Sequence, residues 1–146
     1  MQTIGVLNGP NLDRLGKREP SIYGHQTIND LELLLFKEGQ ALGVGLEFFQ
    51  SNHEGALIDT LAEWMDNNIS GFIINAGAFT HTSIALRDAV AASGVPTVEV
   101  HISNVYKREV FRHHSFLSDI SVGVIAGLGF QGYLAALQFL AGYVNR

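Results

Sequence analysis

No cysteine occurs in the 146 residues, which excludes disulfides, thiolate metal sites and a cysteine nucleophile. Basic residues are also few, since nine Lys plus Arg stand against fourteen Asp plus Glu and leave a formal net charge of −5. A chain whose main partner is nucleic acid or an anionic membrane needs the opposite balance, so neither is expected and any anion site must be local. No segment approaches the ~20 consecutive apolar residues that span a bilayer. The start, Met1-Gln2-Thr3-Ile4-Gly5-Val6, lacks a basic stretch followed by a long apolar run. A soluble cytoplasmic protein is the expectation, with the sequon Asn68-Ile69-Ser70 a coincidence. Internal repeats, linkers and low-complexity stretches are absent as well. What the chain does have is core material, 47% hydrophobic against 16% charged residues. The whole of residues 1–146 is expected to form one domain that buries roughly 70% of its unfolded surface.

Short runs rich in Ile, Val and Phe at residues 3–7, 44–49, 71–74, 97–100 and 122–126 have the length of buried strands. Segments of helical spacing lie between them: Leu31, Leu34 and Leu35, then Leu57, Ile58 and Leu61, then Ile84, Leu86 and Val90. A last one follows Phe130, with Leu134, Leu137, Leu140 and Ala141 on one face, placed to pack on the sheet. Thr27 with Asp30, and Ser51 with Glu54, have the spacing of capping boxes. Strict alternation of strand and helix predicts an α/β fold, the flavodoxin-like doubly wound five-stranded parallel sheet with helices on both faces.

In such folds a ligand lies beyond the carboxyl ends of the strands, where the strand order reverses. Four strand ends carry polar residues: Asn8-Gly9-Pro10-Asn11, Ser51-Asn52-His53, Asn75 through His81, and His101-Ile102-Ser103-Asn104. Any one of them is ordinary turn chemistry, but their convergence on one sheet edge predicts a polar pocket. The connection from Gly9 to Gly24 is long against the roughly 2 to 6 residues usual for a strand-to-helix loop. It carries Arg14, Lys17, Arg18 and Tyr23, with Gly16 and Gly24 as possible hinges, and reads as a lid or as a plain solvated loop.

Three apparent motifs fail on context. Gly127-Leu128-Gly129-Phe130-Gln131-Gly132 has the dinucleotide-binding GxGxxG form, but no second strand with an acidic residue about 20 positions on follows it. Tight turning and close helix packing account for these glycines. None of the six histidines has the HExxH spacing of a zincin, and Ser103 lacks the GxSxG elbow of a serine hydrolase. No cofactor and no metal are expected.

The segments NGPNLDRLGKREPSIYG at 8–24, QSNHEG at 50–55, INAGAFTHTSIALRDA at 74–89, VEVHISNVYKREVFRHHS at 98–115 and GLGFQGY at 127–133 resemble the type II dehydroquinases in order and over essentially the whole chain. Ala76, and Asp13-Arg14, are mild departures from that pattern. The resemblance implies a metal-independent lyase that forms no imine and converts 3-dehydroquinate to 3-dehydroshikimate by anti elimination through an enolate. It also implies self-association as trimers combined into a dodecamer. By resemblance Tyr23 is the base. An unperturbed phenol titrates near ~10, a deficit of about 4 kcal/mol at neutral pH, and a cation within about 4 to 6 Å typically recovers ~1 to 3 units. Arg18 on the same loop matches that cation.

His101 matches the general acid, since imidazole titrates near the working pH. Glu99, two residues earlier on a strand, shares its face and can fix the imidazole tautomer. The spacing alone serves a buried ion pair equally well, and the EVHxSN motif favours the catalytic reading. Asn11 matches the enolate stabiliser, acting through a held water. The backbone N–H groups of Ile102 and Ser103 match a carboxylate site. Asn75, His81 and Arg112 match ring-hydroxyl contacts, and Asp88 matches a contributor to its own site or, across a trimer interface, to a neighbour's, while Asp88 and Arg112 also read as plain surface ion-pair residues. Arg108 has no assigned role. The rival reading is a noncatalytic flavodoxin-like module that binds a small carboxylate without turnover.

Overall fold

The computed structural model describes residues 1–17, Glu19, Ser21 and 25–146. Its five strands are β1 Thr3–Asn8, β2 Gly45–Gln50, β3 Gly71–Asn75, β4 Thr97–His101 and β5 Gly123–Ala126. All pair in parallel in the order β2-β1-β3-β4-β5, the flavodoxin-like order. The predicted runs match these strands to within a residue or so at either end. The longer helices are α1 Ile28–Leu42, α2 Glu54–Asp66, α3 Ile84–Ser93 and α4 Phe130–Val144.

Successive side chains of a strand point to opposite faces, and the core divides accordingly. Ile4, Val6, Ile73, Val98 and Val100 meet Leu31 and Leu35 of α1 and Tyr133, Leu137 and Leu140 of α4. On the other face, Leu7, Phe72 and Ile74 meet Leu57, Leu61 and Trp64 of α2 and Leu86 and Val90 of α3. Each fully buried leucine or isoleucine contributes roughly 1.5–3 kcal/mol by leaving water. Glu99 and His101 fall in the alternate positions of β4, and Glu99 is in register with Ile74. A carboxylate and an imidazole thus project from β4 on the face that β3 fills with Phe72 and Ile74.

Thr27 caps α1 as expected: its hydroxyl accepts from the Asp30 N–H at 3.2 Å while the Asp30 carboxylate accepts from the Thr27 N–H at 2.9 Å. The second expected capping box does not form. Helix α2 begins at Glu54 behind His53, and the Ser51 hydroxyl instead accepts from the His53 N–H at 3.0 Å. Glu54 therefore occupies the first helical position, where its charge suits the helix dipole, rather than the third. Ile84 also departs from expectation, because it is exposed while Leu86 and Val90 are buried. Two residues of α-helix turn about 200°, which sends Ile84 away from the face of Leu86. Along α4, Leu137, Leu140 and Ala141 are buried and Leu134 partly so, as its pattern required.

The order reverses between β1 and β3, whose last residues Asn8 and Asn75 are register partners. The two chains leave the sheet in close contact. The Gly9 N–H donates to the Asn75 carbonyl at 2.7 Å, and a Cβ built on Gly9 would stand 2.2 Å from the Ala76 carbonyl oxygen. Only glycine permits that approach, and it opens the crevice in which polar groups gather.

Candidate active site

A cavity of about 260 Å³ lies at the carboxyl edge of the sheet, over the point where strand order reverses. Pro10, Asn11 and Leu12 line it from the β1 end, Asn75, Gly77, Ala78 and His81 from the β3 end, His101 to Ser103 from the β4 end, and Val105, Arg108 and Arg112 from the loop that follows. Of the four predicted polar strand ends, the β2 end contributes indirectly. Asn52 accepts from the Asn11 N–H at 2.9 Å, and Gln50 donates to the Gly9 carbonyl at 3.1 Å. These contacts hold Asn11 in the left-handed region at φ 70, a conformation asparagine tolerates better than most residues.

The centre of the site is a buried pair. His101 Nε2 donates to Glu99 Oε2 at 2.5 Å, with the two side chains 7% and 1% exposed. Burial alone would push the Glu99 carboxyl up. Hydrogen bonds from His101, Ser118 and Ser115 outweigh it and hold the group below its ordinary value. Ser118 donates at 2.6 Å and Ser115 at 3.0 Å. Glu99 is therefore an anion, and because an anion can only accept, Nε2 must carry the proton it shares with Glu99.

His81 stands beside this pair, its ring 6.2 Å from that of His101 and inclined 18° to it. Its Nδ1–H donates to the His114 carbonyl at 2.8 Å. Burial pushes the His81 imidazole below its ordinary value, with smaller repulsion from His101 and Arg112, and its contact with the His114 carbonyl offsets this only in part. The neutral ring then presents Nε2 as an acceptor. Two neighbouring histidines are thus kept different, one by a carboxylate and the other by a carbonyl.

No acceptor among the described residues takes up the N–H of Ile102 or Ser103, both of which line the cavity. Arg112 is held by Glu109 at 3.0 Å, and Arg108 places Nη1 3.4 Å from the Ser103 hydroxyl. These N–H groups and the two guanidinium groups, which share the Glu109 carboxylate, line this side of the cavity with donors. On the β3 side, Asn75 is fixed at both ends of its amide: Nδ2 donates to the Tyr133 hydroxyl at 2.9 Å, and Oδ1 accepts from the Gly77 N–H at 3.2 Å.

The structure thus brings together Asn11, Asn75, His81, Glu99, His101, Ile102, Ser103 and Arg112. Asp88 is exposed on α3 and does not line the cavity of its own chain. Arg18 and Tyr23 lie outside the described residues. Three contributors had no role assigned from sequence: Arg108 and Ser115, although both lie in the segment 98–115, and Ser118; the two serines reach Glu99 from a loop 16 and 19 residues away. Among the described residues, no three His, Asp or Glu side chains are grouped to hold a metal. The glycine turn does the packing work expected of it. Gly127 lies at φ 90 against Asn104, and a Cβ on Gly132 would stand 3.2 Å from the Ile125 side chain.

A doubly wound sheet with a buried histidine–carboxylate pair, a second histidine and a donor-lined cavity at its reversal point has the build of an α/β enzyme. Comparison with known proteins narrows this further. The profile of the family described as Dehydroquinase class II matches residues 2–141, and the chain belongs to that family. It is 56% identical over 138 residues to 3-dehydroquinate dehydratase 1 of Ralstonia nicotianae, covering 94% of this chain and 88% of that one. It is 59% identical over 138 residues to 3-dehydroquinate dehydratase 2 of Corynebacterium efficiens, covering 93% and 94%. The crystal structure of type II dehydroquinase from Propionibacterium acnes superposes with a TM-score of 0.93 at 44% identity, covering 97% of each chain.

Proposed function

We propose that the chain is a 3-dehydroquinate dehydratase of the shikimate pathway, a hydro-lyase that yields 3-dehydroshikimate by anti elimination through an enolate. The observation that carries this reading is the buried His101–Glu99 pair at the edge of a cavity lined by the N–H groups of Ile102 and Ser103, which find no acceptor among the described residues. Elimination removes the proton next to the ketone, delocalises its electron pair into an enolate, and expels the hydroxyl one carbon further on. His101 protonates that hydroxyl through Nδ1, since Nε2 is engaged by Glu99, and water departs. Tyr23 is the base, with Arg18 lowering its pKa, and Asn11 stabilises the enolate oxygen through a held water. Ile102 and Ser103 take the substrate carboxylate, while Asn75, His81 and Arg112 take ring hydroxyls. Neutral His81 suits this task, because its Nε2 can accept from a hydroxyl.

Residues 1–146 act as one catalytic domain in the cytoplasm. Copies assemble as trimers into a dodecamer, with Asp88 contributing to a neighbouring site. Among the described residues, no helix is long and apolar enough to cross a membrane.

The test is direct. Purified protein mixed with 3-dehydroquinate should generate the ultraviolet absorbance of a conjugated enone, and a chelator should leave the rate unchanged. Tyr23→Phe should keep its circular dichroism spectrum while kcat falls about 10²- to 10⁴-fold, the usual contribution of a positioned base. Binding without any absorbance growth would leave only a carboxylate-binding module.

A further inference from the structure

The side chain of Asn75 faces the cavity, but its orientation is decided behind it. Tyr133 on α4 is fully buried, and its hydroxyl donates to Asn8 Oδ1 at 2.6 Å while accepting from Asn75 Nδ2 at 2.9 Å. Asn8 Oδ1 can only accept, so the phenol proton points there and the phenol oxygen is left as an acceptor. At the other end of the amide, the Gly77 N–H can only donate, and it meets Asn75 Oδ1 at 3.2 Å. A half-turn of the Asn75 amide would set two acceptors face to face at Tyr133 and two donors face to face at Gly77. The conflict at Tyr133 would be buried, where an unmade hydrogen bond is costly, and the one at Gly77 half-buried.

We infer that Tyr133 is a positioning residue for substrate binding, which fixes the edge of the Asn75 amide that meets the ligand. This rests on the reading of Asn75 as a contact for a ring hydroxyl. With one N–H and one lone pair committed behind it, Asn75 retains one N–H and one lone pair for the cavity. That pairing matches a hydroxyl, which both donates and accepts, better than a carboxylate or a ketone, which only accept. Burial pushes the Tyr133 phenol well above its ordinary value, so it remains a neutral donor to Asn8 throughout the working pH range. The two tyrosines of the mechanism thus have opposite requirements: Tyr23 must lose its proton, and Tyr133 must keep it.

Tyr133→Phe keeps the ring in the core and removes only the oxygen. Steady-state kinetics with 3-dehydroquinate should show KM raised about tenfold, equivalent to about 1.4 kcal/mol. The value of kcat should stay within about threefold, because a contact to a non-reacting hydroxyl is equal in ground and transition states. The pH profile should keep its shape. Asn8→Ala retains the phenol but frees its proton to turn, so it should raise KM in the same direction, and it decides the question if Tyr133→Phe does not fold. Leu61→Val, in the opposite core, should lower Tm and leave KM unchanged. Asn75→Ala should raise KM at least as far, and adding Tyr133→Phe to it should raise KM no further. If Asn75→Ala raises KM while Tyr133→Phe and Asn8→Ala lower only Tm, Tyr133 is structural and the inference is overturned. If Asn75→Ala leaves KM unchanged, the assignment of Asn75 fails and the inference fails with it.

Discussion

At Glu99, burial and hydrogen bonding oppose each other, and three donors on a side chain 1% exposed decide for the anion. Glu99→Gln keeps the shape but can no longer accept on both sides as an anion, so the tautomer of His101 is no longer imposed. Initial rates should show kcat lowered about 10²-fold, the low end of what a positioned acid supplies. A variant with the parent kcat would remove the pair from the mechanism. The two depressed groups also govern stability against pH. Burial holds the His81 imidazole of the folded state below its ordinary value of 6.5. Its contribution is therefore complete above 6.5 and is lost as pH falls through the folded value. The Glu99 carboxyl, held below 4.5 by its donors against the effect of burial, likewise contributes above 4.5 and is lost at lower pH. Thermal melts across a buffer series should show Tm falling first below about pH 6.5 and again below about 4.5. His81→Gln should flatten the first decline and leave the second.

Among the elements, the junction of β1 and β3 carries the heaviest constraint. Gly9→Ala would drive a methyl group into the Ala76 carbonyl, which is backbone and cannot turn aside. The expected cost is about 1 to 3 kcal/mol, as for other forced overpacking, and chemical denaturation should measure it. Activity should fall as well, because Asn11 and Asn75 are both positioned from this junction. A variant of parental stability would show that the two segments separate readily. The sequence made the strands and the polar strand ends legible because both are local patterns: apolar runs of strand length, each followed by Asn, His or Ser. It also placed Glu99 and His101 on one face by the period of two. The contacts of Ser115 and Ser118 with Glu99 were not legible, since they arise from a loop without periodicity whose course is set by tertiary packing. That loop is pinned from outside by Arg87, which bonds the Phe116 carbonyl at 2.9 Å and pairs with Asp119. Helix starts were legible only where a cap formed. Thr27 follows the box, whereas Ser51 spends its hydroxyl in a local turn and α2 begins later.

At the scale of the whole molecule, several large apolar side chains are exposed. Val122 and Val124 are exposed at the edge strand β5, and Val110 and Phe111 are exposed on the loop that supplies Arg112 to the cavity. An uncovered strand edge flanked by apolar side chains favours association, in keeping with the proposed trimers and dodecamer. Light scattering should give a mass that is a multiple of three chains. Asp88 provides a sharper test, since it is exposed and absent from the lining of its own cavity. If it serves a neighbouring site, Asp88→Ala and His101→Ala chains, each weakly active alone, should complement each other when refolded together. A site formed by His101 from one chain and Asp88 from the next arises in about a quarter of random pairings across a heterologous interface. Activity should then exceed that of either parent assembly and scale with the product of the two chain fractions. If Asp88 acts within its own subunit, or serves only as a surface charge, no intact site is created by mixing. The rate would then be the weighted mean of the two parents at every ratio.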